Sequence, residues 1–376
     1  MSRLDELIQQ YCPNGVEYKP IGECLDYEQP TKYLVESTAY DDSYSTPVLT
    51  AGQSFILGYT NETGGIYNAS VENPVIIFDD FTTASKWVDF GFKAKSSAMK
   101  MLTSADSDLY NIRYLYHCMQ NLKYTPSDHA RQWISKYGLL EIPVPPLPVQ
   151  EEIVRILDKF TELEQELEQE LELRKKQYEY YRDKMLSLSD YDGEVEWKPL
   201  SEVAEIGTGS HNTQDATDDG NYTFYVRSQT PLKLDTYDYD DISIITAGDG
   251  VGVGKVFHIT NGKYALHQRA YRIHPLSNEI NTKFLYYYFT ARFYNYITMT
   301  KYDGSVSSIR LPMLKEFSIP VIKDIHEQER IVNVLDKFST LISDISEGLP
   351  AEIKMRHQQY EYYRDKLLNF KRLEVV

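Results

Sequence analysis

The side chains best suited to chemistry in this chain are basic and amide groups gathered in two stretches. In the first, Lys86-Trp87 is followed by Lys93, Lys95 and Lys100 with few acids nearby in sequence. In the second, Lys255, Lys263, His267, Gln268, Arg269 and Arg272 run together with only neutral residues between them, and Arg227-Ser228-Gln229 lies upstream. Lys and Arg contact phosphates, while Arg clasps guanine and Gln clasps adenine in the major groove. Both stretches therefore have the residue types of a surface that binds and reads DNA. The overall charge opposes this, because 39 basic against 56 acidic residues leave a net −17. What phosphate contact requires, however, is clustering on a surface rather than a favourable total.

No catalytic constellation can be assembled from the remaining residues. Gly248-Asp249-Gly250-Val251-Gly252-Val253-Gly254 is the nearest thing to a phosphate loop, but such a loop needs a helix opening directly after the glycines. Lys255-Val256-Phe257-His258-Ile259 reads instead as a strand, so a flexible turn or a loop approaching a ligand backbone is expected. Asp79 and Asp80 would point to opposite faces of a strand, which predicts structural roles and not a metal site. The eight histidines are scattered, and His267 and His274 read as core or surface residues before catalytic bases. The three cysteines (Cys12, Cys24, Cys118) form no C-x-x-C pair, so neither a disulfide framework nor a zinc site is expected. No apolar run approaches the roughly 18 residues of a membrane span, and no signal peptide opens the chain. The expected setting is a reducing cytoplasm, without membrane contact and without a cofactor.

An internal repeat supplies the elements that position these residues. Val16-Glu17-Tyr18-Lys19-Pro20 recurs as Val195-Glu196-Trp197-Lys198-Pro199, and Ile153-Val154-Arg155-Ile156-Leu157-Asp158-Lys159-Phe160 recurs as Ile331-Val332-Asn333-Val334-Leu335-Asp336-Lys337-Phe338. Gln177-Tyr178-Glu179-Tyr180-Tyr181-Arg182-Asp183-Lys184 returns unchanged as Gln359 to Lys366. The chain is thus two half-molecules, each a variable body followed by a repeated tail. Between the matched ends the bodies barely resemble each other, beyond echoes such as Ile142-Pro143-Val144 against Ile319-Pro320-Val321.

Apolar residues at 3- and 4-residue steps make each tail a long helix with a coiled-coil seam. The expected helix interface comprises Leu157, Phe160, Leu163, Leu167, Tyr178 and Tyr181 on the first tail, and Leu335, Phe338, Leu341, Tyr360 and Tyr363 on the second. The second seam also passes through Ile345. It holds one extra four-residue step, a stutter, at Gly348 and Pro350, where a kink or short break is expected. The acidic run Glu162 to Glu172 reads as a solvated face. In the bodies, Pro74 to Phe78, Tyr222 to Val226 and Ile242 to Thr246 read as strands. Helices are expected around Leu109 to Leu122 and Thr282 to Tyr294. The expected fold is α+β: two globular α+β bodies joined by two long helices packing as an antiparallel coiled coil, in a pseudo-twofold repeat. The segments are 1–149, a body with an N-terminal helix; 150–190, a central helical spacer; 191–325, the second body; and 326–376, a distal helical region.

With these motifs the chain resembles the specificity subunits of type I restriction-modification systems over its whole length. The matching residues are Leu7-Ile8-Gln9 and Cys12 to Tyr18 at the start, Ile153 to Phe160 and Gln177 to Lys184 at the centre, and Ile331 to Phe338, Gly348 to Ile353 and Gln359 to Lys366 at the end. The resemblance implies two target recognition domains that each read half of a bipartite site in double-stranded DNA. It also implies docking of two modification (methyltransferase) subunits and assembly with restriction subunits, so that the chemistry belongs to partners. A DNA methyltransferase with a fused recognition region is the rival enzyme, but its Asn/Asp-Pro-Pro-aromatic motif is matched no better than by Val144-Pro145-Pro146-Leu147. A non-specific coiled-coil scaffold is the other rival, and it leaves unexplained why the bodies diverge while their frames are kept.

Overall fold

The computed structural model describes residues 2–52, 54–299, 308–344 and 346–374. The helices that frame the two bodies are α1 (Arg3–Tyr11), α2 (Ile112–Asn121), α3 (Leu147–Ser187), α4 (Thr282–Met299), α5 (Ile325–Ser343) and α6 (Leu349–Leu367). The chain forms two compact units, one of residues 1–167 with 353–376, the other of residues 168–352. Each unit therefore combines one body with parts of both tails.

The repeated frame closes each body at its base. In the first unit Glu17–Pro20 pairs antiparallel with Glu141–Val144, so that Tyr18 lies opposite Pro143 and Lys19 opposite Ile142. In the second, Val195–Pro199 pairs with Ser318–Ile322, with Trp197 opposite Pro320 and Lys198 opposite Ile319. The two echoes seen in sequence are thus the two strands of one repeated ladder.

Between these ladders the bodies share a topology that their sequences do not announce. The first has a four-stranded antiparallel sheet in the order Leu25–Glu28, Met99–Ser104, Val75–Asp79, Ser85–Val88. The second has Ala204–Thr208, Ala270–Pro275, Ile244–Ala247, Phe257–Ile259, also antiparallel throughout. Along the chain both orders read first, fourth, second, third. Each body adds a second sheet, three-stranded in the first body and four-stranded in the second, in which a hairpin strand pairs in parallel with the strand just before the fourth: Thr46–Leu49 with Lys93–Ala94, and Tyr222–Tyr225 with Gly262–Leu266. The expected strands and late helices are all present, shifted by a few residues at their ends.

One staple recurs where the body meets its tail. Asn111 caps α2, and the buried Gln150 side chain accepts from the Asn111 amide while donating to the carbonyls of Leu109 and Pro145. Gln328 does the same for Asn281 at the start of α4, donating to Glu279 and Ile322. Buried polar groups are costly unless hydrogen-bonded, and here both glutamines are fully used.

The tails meet within each unit. In the first, Phe160 on α3 stacks on Tyr363 of α6 (centroids 5.1 Å apart) and Glu164 holds His357 at 2.9 Å. Residue numbers rise along α3 as they fall along α6, so this pair is antiparallel, as expected. In the second, Tyr178 and Tyr181 of α3 pack around Phe338 of α5. Leu157, Leu335 and Tyr360 are buried, while Phe160, Leu163, Leu167, Tyr178, Phe338 and Tyr363 are half-buried. Tyr181 and Leu341 are exposed, at 40% and 37%, and contribute less to the seam than their spacing predicts, although Tyr181 keeps its stack on Phe338. Ile345 lies outside the described residues. The acidic run on α3 is largely solvent-facing and is laced with pairs such as Lys159–Glu162 and Lys175–Glu172.

The second tail breaks between α5 and α6, as Gly348 and Pro350 predict. The extra four residues are spent in this break and not in a stutter through continuous helix. A Cβ on Gly348 would lie 2.5 Å from the Thr340 carbonyl oxygen, so only glycine allows the chain to fold over the end of α5. Pro350 falls in the first turn of α6, where its missing N–H leaves no bond unmade.

Candidate nucleic-acid interface

The shared topology brings the same loops together at one end of each body. In the first, the Lys95 amide donates to the Leu49 carbonyl (3.0 Å), the Asp80 amide to Ala98 (3.1 Å) and the Gln132 amide to Asp80 (2.8 Å). In the second, His267 donates to Tyr225 (2.9 Å), Gly248 to Arg269 (2.9 Å) and Ile309 to Gly248 (2.7 Å). Bond for bond, the hairpin turn Asp80–Ala84 matches the glycine-rich loop of residues 248–256, and the turn after Ala94 matches that after Leu266. We call this end of each body its rim.

In the second body the rim gathers most of the predicted readers. Arg227 and Arg269 each place Nη1 on Asp249, at 2.7 Å from Oδ1 and 3.0 Å from Oδ2. Burial alone would raise the Asp249 carboxyl, but the two guanidinium groups outweigh it and hold it below the usual carboxylate range. Gln229 and Lys255 are exposed, the latter with its ammonium 5.3 Å from the Tyr294 ring. Gln268 is exposed and donates to the Asn212 side chain. The glycine-rich loop turns at Gly250 (φ +81°) and Gly254 (φ +68°) and is followed by the expected strand, so no helix opens after the glycines as a phosphate loop requires.

Four predicted contact residues are instead committed to the interior. Lys93 is buried and paired with Glu62 at 2.6 Å, a bond that holds the Glu62 carboxyl below its usual range. Lys100 is buried against the equally buried Asp80 at 3.2 Å, with the Tyr27 ring 4.3 Å from its ammonium. Arg272 is buried between Asp241 (2.6 Å) and Glu205 (3.2 Å). His267 is buried and accepts from the Arg269 amide through Nδ1, fixing the turn; burial pushes its pKa down, which favours the neutral ring. The acids that claim the two lysines and Arg272 come from segments distant in sequence, so adjacency gives no sign of them. Asp80 also accepts from the Trp133 amide, and Asp79 caps Phe81 and Thr82, so both have the structural roles expected.

In the first body Lys95 stays exposed on the rim, 5.8 Å from the Tyr40 ring, while Lys86 lies half-buried on the edge strand just beyond the Asp80–Ala84 turn. Arg131 was not among the predicted residues. It sits half-exposed with Nη1 4.0 Å from Asp80, next to Gln132, whose amide bond to Asp80 matches that of Ile309 to Gly248. Its isolation in sequence gave no clustering signal. Thr83 holds a positive φ of 60°, a strained choice for a β-branched residue, and strain of this kind is concentrated at functional sites.

Among the described residues no group of three or more His, Cys, Asp or Glu is placed to hold a metal, and no helix is long and apolar enough to cross a membrane.

Comparison with known proteins agrees with this architecture. Residues 13–173 and 193–355 each match the type I restriction modification DNA specificity domain, so the two matches fall on the two halves of the repeat. A type I restriction enzyme specificity subunit of Escherichia coli is 44% identical, over 100% of this chain and 99% of its own. Among solved structures, the S subunit of a type I restriction-modification system from M. genitalium superposes with a TM-score of 0.63 at 15% identity, over 94% of this chain and 96% of that one. A chain from a study of complex assembly in the type I R-M system gives a TM-score of 0.52 at 16% identity, over 92% and 98%. The chain belongs to the DNA specificity subunits of type I restriction-modification systems.

Proposed function

We propose that each body reads one half of a bipartite double-stranded DNA site through its rim, and that the chain itself performs no catalysis. The observation that carries this reading is the pair of matched rims: one hydrogen-bonded framework, kept in both bodies, carries different side chains in each. A common scaffold with divergent tips is what two readers of two different half-sites require. In this reading the glutamine, arginine and lysine side chains of the second rim face bases and phosphates, as do Lys95, Lys86 and Arg131 in the first.

Two modification (methyltransferase) subunits dock on the tails, with restriction subunits joining the assembly in the cytoplasm. Support comes from side chains that packing does not need. Tyr180 and Tyr362 occupy the same position in the repeated octapeptide and are 63% and 61% exposed. Seven residues earlier, Leu173 and Met355 are also apolar and exposed. A solvent-facing pattern kept twice fits one kind of partner bound twice. Phosphate contacts supplied by those partners make the acidic balance of this chain tolerable. Helix α3 sets the gap between half-sites, since each four-residue step adds ~6 Å, or about two base pairs.

The test is base-modification sequencing of host DNA from cells carrying the modification subunit, with and without this chain. The reading predicts methylation at a split motif of two short half-sites with a fixed gap, lost when the chain is removed. An unchanged methylome with both proteins expressed would refute it.

A further inference from the structure

Asp249 is an acid set between two arginines on the rim of the second body, where by charge alone it would repel DNA. Its geometry gives it another use. It fixes two half-exposed arginines side by side, each through a single Nη1, at 2.7 and 3.0 Å. Long side chains lose much freedom on binding, and a carboxylate that holds a guanidinium in place removes that loss beforehand. A planar, oriented guanidinium suits the O6/N7 edge of guanine, whereas a phosphate is served as well by an unrestrained lysine. Two arginines sharing one carboxylate also carry a net charge of only +1, which weakens them as a phosphate clamp without altering their hydrogen-bond geometry. Beside them the loop tip presents Val251, 99% exposed, between glycines. A fully exposed valine at the apex of a loop has no packing role.

We infer that Arg227 and Arg269, aligned by Asp249, read a G·C pair in the half-site of the second body, with Val251 entering the groove beside them. This rests on the reading of the rim as the DNA surface. Asp249 is a positioning residue here, and the arginines are the ones that touch the base.

The experiment compares the methylated motif in cells carrying the modification subunit and either the wild-type chain, Asp249→Asn, Arg269→Ala or Val251→Asp. Asp249→Asn and Arg269→Ala relax one guanine position of one half-site, with discrimination there falling about tenfold or more, while the other half-site and the gap stay fixed. Val251→Asp keeps the motif and lowers occupancy at every site. If both clamp variants keep the wild-type motif and occupancy, or relax an A·T position, the inference is overturned. If Asp249→Asn abolishes methylation altogether, Arg269→Ala decides, because its side chain lies on the surface: a relaxed guanine supports the clamp and an intact motif overturns it. If the wild-type chain yields no split motif, the reading of the rim fails, and the clamp with it.

Discussion

Asp80 and Asp249 occupy matching loops in the two bodies and do opposite things. Asp80 is sealed in the core of the first body with Lys100, where the pair ties the hairpin turn to the neighbouring strand. Asp249 stays near the surface of the second body and holds two arginines outward. The same backbone framework thus uses one acid to stabilise and the other to present. Divergence between the bodies is concentrated where side chains leave the framework, while the hydrogen bonds that define the rim are common to both.

The largest predicted contrast comes from these two acids. Lys100→Ala leaves a buried carboxylate unpaired and destabilises the first unit by roughly 3–5 kcal/mol, whereas Asp249→Asn costs under about 1 kcal/mol because its partners are solvated. Urea unfolding of the two variants measures this, and equal losses would erase the distinction. The buried glutamine staples test the opposite point, that the frame is equivalent in both halves. Gln150→Ala and Gln328→Ala should each cost about 1–3 kcal/mol, and a large inequality would show that the junctions are not equivalent.

Acid should separate the units by location. At the first junction His117 is buried, with Nε2 2.9 Å from Asp158 and Nδ1 3.2 Å from the Tyr360 hydroxyl, so the neutral ring donates to the acid and accepts from the tyrosine. Burial lowers its pKa despite the Asp158 hydrogen bond, with Arg113 and Arg364 nearby also lowering it. The corresponding acid of the second unit, Asp336, bonds Lys283 and Tyr287 and involves no histidine. In the second unit it is His258 and His267, at the rim, whose pKa is lowered by burial. A depressed folded-state pKa gives stability that is present above the ordinary histidine value of about 6.5 and is lost as pH falls through the lowered value. Protection factors for hydrogen exchange, taken relative to the intrinsic rate at each pH, should therefore fall on acidification in α2 of the first unit and around His267 in the second, and hold in α4. His117→Gln should flatten the response in α2. The smallest effect on stability is expected for Tyr180→Ser and Tyr362→Ser, within about 0.5 kcal/mol, although both should weaken assembly with the modification subunit in a pull-down.

Much of this was legible in sequence. The repeat located the frames, the 3- and 4-residue spacing located the tails, and Gly348 with Pro350 located the break, because each is a local signal. The staples were within reach as well, since Gln150-Glu151 recurs as Gln328-Glu329 three residues ahead of the matched block. The common topology of the bodies was not legible, because strand order depends on pairings between distant segments that leave no shared pattern of residues. For the same reason Lys93, Lys100 and Arg272 looked like free cations: Glu62, Asp80 and Asp241 meet them only after folding. The role of Asp249 was hidden for the same reason, since it lies among glycines in sequence and meets Arg227 and Arg269 only in the fold.

The central claim is that the rims read while the frame measures, and a four-residue deletion of Glu164 to Leu167 within α3 tests it most directly. Four residues are just over one helical turn, so the seam is nearly preserved while the helix shortens by ~6 Å. Sequencing of methylated sites should then give both half-sites unchanged and a gap shorter by about two base pairs. Altered half-sites with the original gap would contradict the account.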